Sequence, residues 1–153
     1  MISQNIIKLI GEAMKARDSV RVATLRSLSS ELKNAKINIY DPNATIQREL
    51  TEQEEIAVIR REVKKRKEAI EMYEKANATA QAENEKAELT VLSEFLPAEV
   101  TEEEMNKLID ESIKTLNATS IKDMGKVISD VKSKNSGVEG AKLAEIVKTK
   151  LTS

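Results

Sequence analysis

One stretch limits the fold more than any other: Thr51 to Glu74 reads as a single long amphipathic helix. It opens with a capping box, because Thr51 can accept from the backbone N–H of Glu54 while the Glu54 carboxylate reaches back to the Thr51 N–H. Apolar residues follow at Ile56, Ile59, Val63, Ile70 and Tyr73, a stripe at helical spacing. Arg66 falls on that stripe where an apolar residue is expected. Around it lies the densest positive run of the chain: Arg60, Arg61, Lys64, Lys65, Arg66 and Lys67. A helix of this kind is stable only when other elements cover its apolar side.

The cover is also helical. Four Gly and two Pro in 153 residues leave few turns, which favours a few long helices. Tyr40, Tyr73 and Phe95 are the only aromatics, so the core must be built from Leu, Ile, Val, Ala and Met, a bundle palette. Ile2, Ile6, Leu9, Ile10 and Ala13 share one face of a first helix, and Asp18 is a good N-cap for a second. That second helix carries Leu25, Leu28, Leu32, Ala35 and Ile39 and ends at Asp41, before Pro42. The segment up to Leu50 reads as a polar, mobile loop. Beyond the central helix, Asn77 and Thr79 offer a break or a cap, and Ala82, Leu89, Leu92 and Leu96 stripe a fourth helix.

Pro97 stops that helix, and Thr101 to Glu104 repeats the capping box. The next helix carries Met105, Leu108, Ile109, Ile113 and Leu116. Ser120 to Asp123 can cap a short one with Met124, Val127, Ile128 and Val131. Ser136 to Gly140 reads as a turn before a last helix with Leu143, Ile146, Val147 and Leu151. The expected fold is all-α: a four-helix bundle-like unit over 1–96 and a small three-helix unit over 97–153, near the lower size limit for a domain.

The chemistry is bounded by what is missing. With neither His nor Cys, a Ser–His or Cys–His pair cannot be assembled, and neither a GxxxxGK[ST] loop nor a GxGxxG turn occurs. No catalytic, cofactor or metal residue is therefore expected, and an enzyme acting alone is disfavoured. The acidic first turns, Glu52/Glu54/Glu55 and Glu102/Glu103/Glu104, are read as favourable partners of the helix dipole. Without a long apolar run or a signal-peptide layout, a cytoplasmic location and no membrane partner are expected.

The net charge of −1 carries no overall nucleic-acid signature, so a basic surface must be local. Arg60, Arg61, Lys64 and Lys65 are a secondary candidate. Flanking acids such as Glu68 and Glu71 favour a solvated face there over a phosphate-tracking one. Arg66 is read as a structural ion pair with a carboxylate of another helix, such as Glu31 or Glu85. The C-terminal third divides by charge: Glu99 to Thr119 has two lysines against six acids, whereas Ser120 to Ser153 has seven lysines against four. The last two helices could thus present a basic face of Lys126, Lys132, Lys134 and Lys142.

Four stretches, Glu62–Ile70 (EVKKRKEAI), Glu85–Leu89 (EKAEL), Leu92–Pro97 (LSEFLP) and Lys122–Ile128 (KDMGKVI), resemble the YqeY family. The resemblance covers essentially the whole chain and implies a four-helix unit followed by a three-helix unit. The C-terminal unit is similar to the tail domain of GatB, a subunit of the tRNA-dependent amidotransferase, which helps to hold tRNA while catalysis occurs elsewhere. A carbon–nitrogen ligase label with glutamine as amido donor would therefore name a relative's reaction. Through the motif Met124-Gly125-Lys126, the resemblance makes Lys126 the first choice for a tRNA contact. One departure is the turn where the family has Gly followed by a basic residue. Here it reads Ser136-Gly137 with Glu139 nearby, which argues against phosphate binding at that turn.

The expected function is a tRNA-binding accessory module without its own active site, with tRNA and amidotransferase or other translation-related proteins as partners. The alternatives are a protein-interaction adaptor that touches no RNA and a non-catalytic partner in a carbon–nitrogen ligase complex.

Overall fold

The computed structural model describes residues 1–135 and 137–152; Ser136, on which the expected turn begins, and Ser153 lie outside them. The described residues are all-α, with no strand. Their order is α1 (Ile2–Lys15), α2 (Ser19–Asn38), α3 (Glu52–Lys75), α4 (Thr79–Ser93), α5 (Glu102–Leu116), a single 3₁₀ turn (Ile121–Asp123), α6 (Met124–Lys134) and α7 (Gly140–Thr152). The chain forms two compact units that divide between Leu96 and Pro97.

In the first unit α2 packs against α1, α3 and α4, and α3 pairs with α4 along its length. Leu28, Leu32, Val58, Ile59, Val63, Leu92 and Ile6 form the core. Ala13, Leu25 and Val91 make a second, smaller cluster. Truncating Leu28 or Leu32, both nearly inaccessible, to Ala costs about 2–5 kcal/mol.

The helix ends follow the sequence closely. Asp18 accepts from the Arg21 N–H at 2.9 Å. Thr51 and Glu54 form their capping box, as do Thr101 and Glu104. Three helices end the same way, with Arg17, Asn77 and Asn117 in the left-handed region at φ 57°, 54° and 50°. In each case the following N–H reaches back five residues, Asp18 to Ala13, Ala78 to Tyr73 and Ala118 to Ile113. These are Schellman closures, which turn each helix into its successor.

Three expectations need correction. The 41–50 segment is tied down, because the Gln47 amide exchanges hydrogen bonds with the Asp41 backbone at 3.0 and 2.7 Å and Leu50 is buried in the core. Tyr73 and Leu116 sit on the surface rather than in the cores, at 36% and 40% exposed. Both lie in last turns, where the Schellman closure leads the chain away. Glu55 is not a solvated dipole partner: it is 2% exposed, and its carboxylate accepts from the Ile2 and Ser3 N–H groups at the start of α1.

In the second unit, Met105, Ile109, Val127, Val131, Leu143 and Val147 close the core from α5, α6 and α7. Gly137 is buried there, and a Cβ on it would stand 2.5 Å from the Ala98 carbonyl oxygen. No helix among the described residues is long and apolar enough to cross a membrane.

Candidate functional site

Charge separates along the second unit's sequence, and the fold brings part of it back together. Lys142 on α7 lies 3.3 Å from Glu102, and Lys150 lies 2.7 Å from Asp110, both on the acidic helix α5. On α6, Lys134 pairs with Asp130 one turn earlier at 2.8 Å. The ammonium, followed by the nearby Ser112 hydroxyl, holds the Asp130 carboxyl below its ordinary value, and Asp130 in turn raises Lys134. Ser112 is fully buried, and its hydroxyl makes no well-aligned hydrogen bond among the described residues.

Lys134 and Lys142, two of the four lysines expected on the basic face, are thus engaged within the unit. Lys126 and Lys132 are exposed on α6 with no carboxylate at ion-pair distance among the described residues. Lys122 and Lys148 share that condition and were not among the expected lysines, although Lys122 opens the KDMGKVI stretch. The signal that could have found them is subtraction: pairing Lys142 and Lys150 with acids of α5, and Lys134 with Asp130 on its own helix, leaves these four. Around the start of α6 the surface is open, since a Cβ on Gly125 would meet nothing within 4 Å. Asp123 accepts from the Thr119 and Ser120 N–H groups, which depresses its carboxyl, and the charge of Lys126 adds a smaller effect in the same direction.

The basic run on α3 is partly neutralised within its own helix. Lys64 lies 3.9 Å from Glu68, and Lys65 lies 2.6 Å from the buried Glu62, which raises the lysine. Arg61 is exposed and Arg60 half-buried. Arg66 projects toward α4: its Nε stands 2.8 Å from Glu88 and 3.4 Å from Glu85, with Glu62 at 3.9 Å from a terminal nitrogen. Asn84 donates to the other oxygen of Glu88 at 3.1 Å. Of the two partners expected, Glu85 stands at the cation and Glu31 does not, and Glu88, one turn from Glu85 beside Leu89 on the stripe of α4, was overlooked.

Among the described residues no group of three or more Asp or Glu side chains is arranged to hold a metal ion. A family profile described as Yqey-like protein matches residues 3–151. An uncharacterized protein of Schizosaccharomyces pombe is 32% identical over 92 residues, which span 60% of this chain and 69% of that relative.

Proposed function

This chain belongs to the YqeY family, and from that premise we propose that it is a tRNA-binding accessory module, related through its second unit to the tail of the amidotransferase B subunit. The observation that supports this reading best is the set of exposed lysines left without ion pairs, Lys122, Lys126, Lys132 and Lys148, on a chain with no overall positive charge. Lysine ammonium groups bind phosphate as point charges and need no fixed fork geometry. A surface of this size would make only a few phosphate contacts, which suits a module that steers or steadies an RNA held mainly by other chains. Lys126 is the central residue, because it follows the open Gly125 at the start of α6.

Titration of the purified protein with total tRNA, at two salt concentrations and against a generic duplex RNA, tests the reading. The expected result is preferential tRNA binding that weakens with salt. Lys126→Glu should weaken it further and reduce the magnitude of the salt slope by about one. Equal binding by wild type and variant would overturn the role of Lys126. No binding at low salt would overturn the RNA reading and leave the protein-interaction adaptor in its place.

A further inference from the structure

Of the three Schellman closures, one is built on a residue poorly suited to it. Asn77 and Asn117 tolerate the left-handed region, because a short polar side chain can bond locally there, whereas Arg17 at φ 57° bears the full crowding of its Cβ against the next carbonyl. The connection around it has three residues, Ala16, Arg17 and Asp18, and neither Gly nor Pro lies between Lys15 and Val20. Ala and Arg are strong helix formers. The same residues can therefore carry α1 straight into α2 as one helix over 2–38, with the strain at Arg17 removed. Short connections under strain invite such an exchange of elements between copies.

We infer that α1 exchanges between two copies of this chain: the 16–18 connection straightens, and α1 of each copy takes the seat of α1 in the other. Three observations choose this partner. The seat is already complete, because Ile6 enters the core with Leu28 and Leu32, Ala13 packs with Leu25 and Val91, and the Glu55 carboxylate accepts the Ile2 and Ser3 N–H groups. A second copy's α1 makes each of these contacts unchanged. An emptied seat would bring Leu25, Leu28 and Leu32, all nearly inaccessible in the closed chain, toward water, so an opened chain is driven to pair. Finally, the strain at Arg17 is released in the exchanged form and kept in the closed one.

Backbone hydrogen bonding does not decide between the two forms. In the closed chain the Arg17 N–H donates to the Met14 carbonyl and the Asp18 N–H to that of Ala13, at 3.1 and 3.0 Å, and the Asp18 side chain accepts the Arg21 N–H. In a straight helix the same N–H groups bond to carbonyls four residues earlier. Against the exchanged form stands the lost independent motion of two chains, which concentration offsets. For it stands relief at two connections in every dimer. The exchanged dimer therefore gains on the monomer as the chain is concentrated, most readily on refolding, when α1 is not yet seated. The inference does not rest on RNA binding by the second unit.

The chain has no cysteine, so introduced cysteines report on the seat alone. Met14 on α1 and Arg26 on α2, both exposed, meet at 3.8 Å in the closed chain. Full-length Met14→Cys and Arg26→Cys chains are refolded together at high concentration and treated with a short bismaleimide, while wild type is followed by light scattering. The double variant Met14→Cys/Arg26→Cys, linked within one chain beforehand, is the locked control. Wild type should form a dimer whose fraction rises with concentration, the mixed single-cysteine chains should link to each other, and the locked control should stay monomeric. Arg17→Gly takes the closed turn without strain and disfavours a straight helix, so it should raise the concentration at which half of the chain is dimeric at least tenfold. Wild type that is monomeric at every concentration, a dimer without links between the two chains, or a locked control that pairs as wild type does would overturn the inference. So would a dimer that Arg17→Gly leaves unchanged.

Discussion

The Glu55 carboxylate on α3 accepts the Ile2 backbone N–H at 2.7 Å, a contact that spans 53 positions of sequence. The same side chain takes the Ser3 N–H at 3.3 Å and the Ser3 hydroxyl. Helix α1 has no side-chain cap of its own, because Met1 occupies the N-cap position. Glu55 thus caps a helix to which it does not belong. It satisfies free N–H groups and places a negative charge at the positive end of the helix dipole.

Replacing Glu55 by Ala should be costly for that reason. Each buried donor left without an acceptor costs roughly 1–3 kcal/mol, part of which water can recover at a helix terminus. We expect a loss of about 3 kcal/mol in urea unfolding, and about half of that for Glu55→Gln, which keeps an uncharged acceptor. Faster amide exchange should appear first in α1. A loss under about 0.5 kcal/mol for the Ala variant would show that the cap contributes nothing.

Arg66 faces Glu62, Glu85 and Glu88, so a single guanidinium holds three carboxylates together at the seam between α3 and α4. All four side chains are 20% exposed or less. Removing the cation leaves crowded like charges that are only partly hydrated. Arg66→Met should cost about 3 kcal/mol, at the low end for a broken buried pair because some water reaches the cluster. Glu85→Gln should be nearly neutral, since its Oε2 makes no hydrogen bond among the described residues and the change relieves repulsion. Comparable losses in both variants would contradict this division of roles.

Arg17 adopts φ 57° at the closure between α1 and α2, a conformation that costs a side chain bearing a Cβ about 1–2 kcal/mol. Asn77 and Asn117 hold the same position in the other two closures and tolerate it better. Arg17→Gly should therefore stabilise the protein, by about 0.5–1 kcal/mol after the added freedom of the unfolded chain is subtracted. A fall in melting temperature would refute the strain argument.

These cases separate what the sequence discloses from what it conceals. Caps are local: Asp18, Thr51 and Thr101 sit within four residues of the groups they bond, so the neighbouring residues alone reveal their roles. The stripes of α2 and α6 are legible for the same reason, since periodicity assigns their buried faces. Glu55 and Glu88 are not legible in this way. Glu55 looks like any acid of a first turn until the start of α1 is brought to it, and its main partners are backbone N–H groups, which carry no sequence signal. The lysine excess of the second unit is legible by counting, whereas its ion pairing is not. Counting charges located the lysine excess, but only the packing of α7 on α5 assigns Lys142 to Glu102 and leaves Lys126 and Lys132 open.

The Glu54 carboxyl is held down to about 2 from 4.5, first by the two-pronged Arg48 contact and then by the Thr51 N–H. A depressed carboxyl favours the folded state above its unfolded value. That contribution is complete above about pH 4.5 and disappears as the pH falls toward 2. The group is exposed, so the clean readout is its own titration followed by NMR. Arg48→Ala should raise the Glu54 midpoint while leaving it below 4.5, because the Thr51 bond remains. An unchanged midpoint would mean that the Arg48 contact does not persist in solution.

Two glycines of the second unit should respond in opposite directions to the same substitution. A Cβ on Gly137 would stand 2.5 Å from the Ala98 carbonyl oxygen and 3.2 Å from a Val100 methyl. The first of these is backbone and cannot rotate away. Nor can Gly137 easily retreat, because its N–H is bonded to Asn135 Oδ1 at 2.8 Å and Val138 beside it is 4% exposed in the core. Gly137→Ala should therefore cost about 1–3 kcal/mol, the usual range for forcing one extra carbon into a packed site. Gly125 lies in the first turn of α6, and a Cβ there meets nothing within 4 Å. Gly125→Ala then adds only helix propensity and should stabilise by about 0.5–1 kcal/mol. Thermal melts of the two variants, compared with wild type, should move to opposite sides of it. If both fall, α6 needs its open first turn for a reason other than packing; if neither moves, the close approach at Ala98 is relieved by a shift of the 97–100 segment.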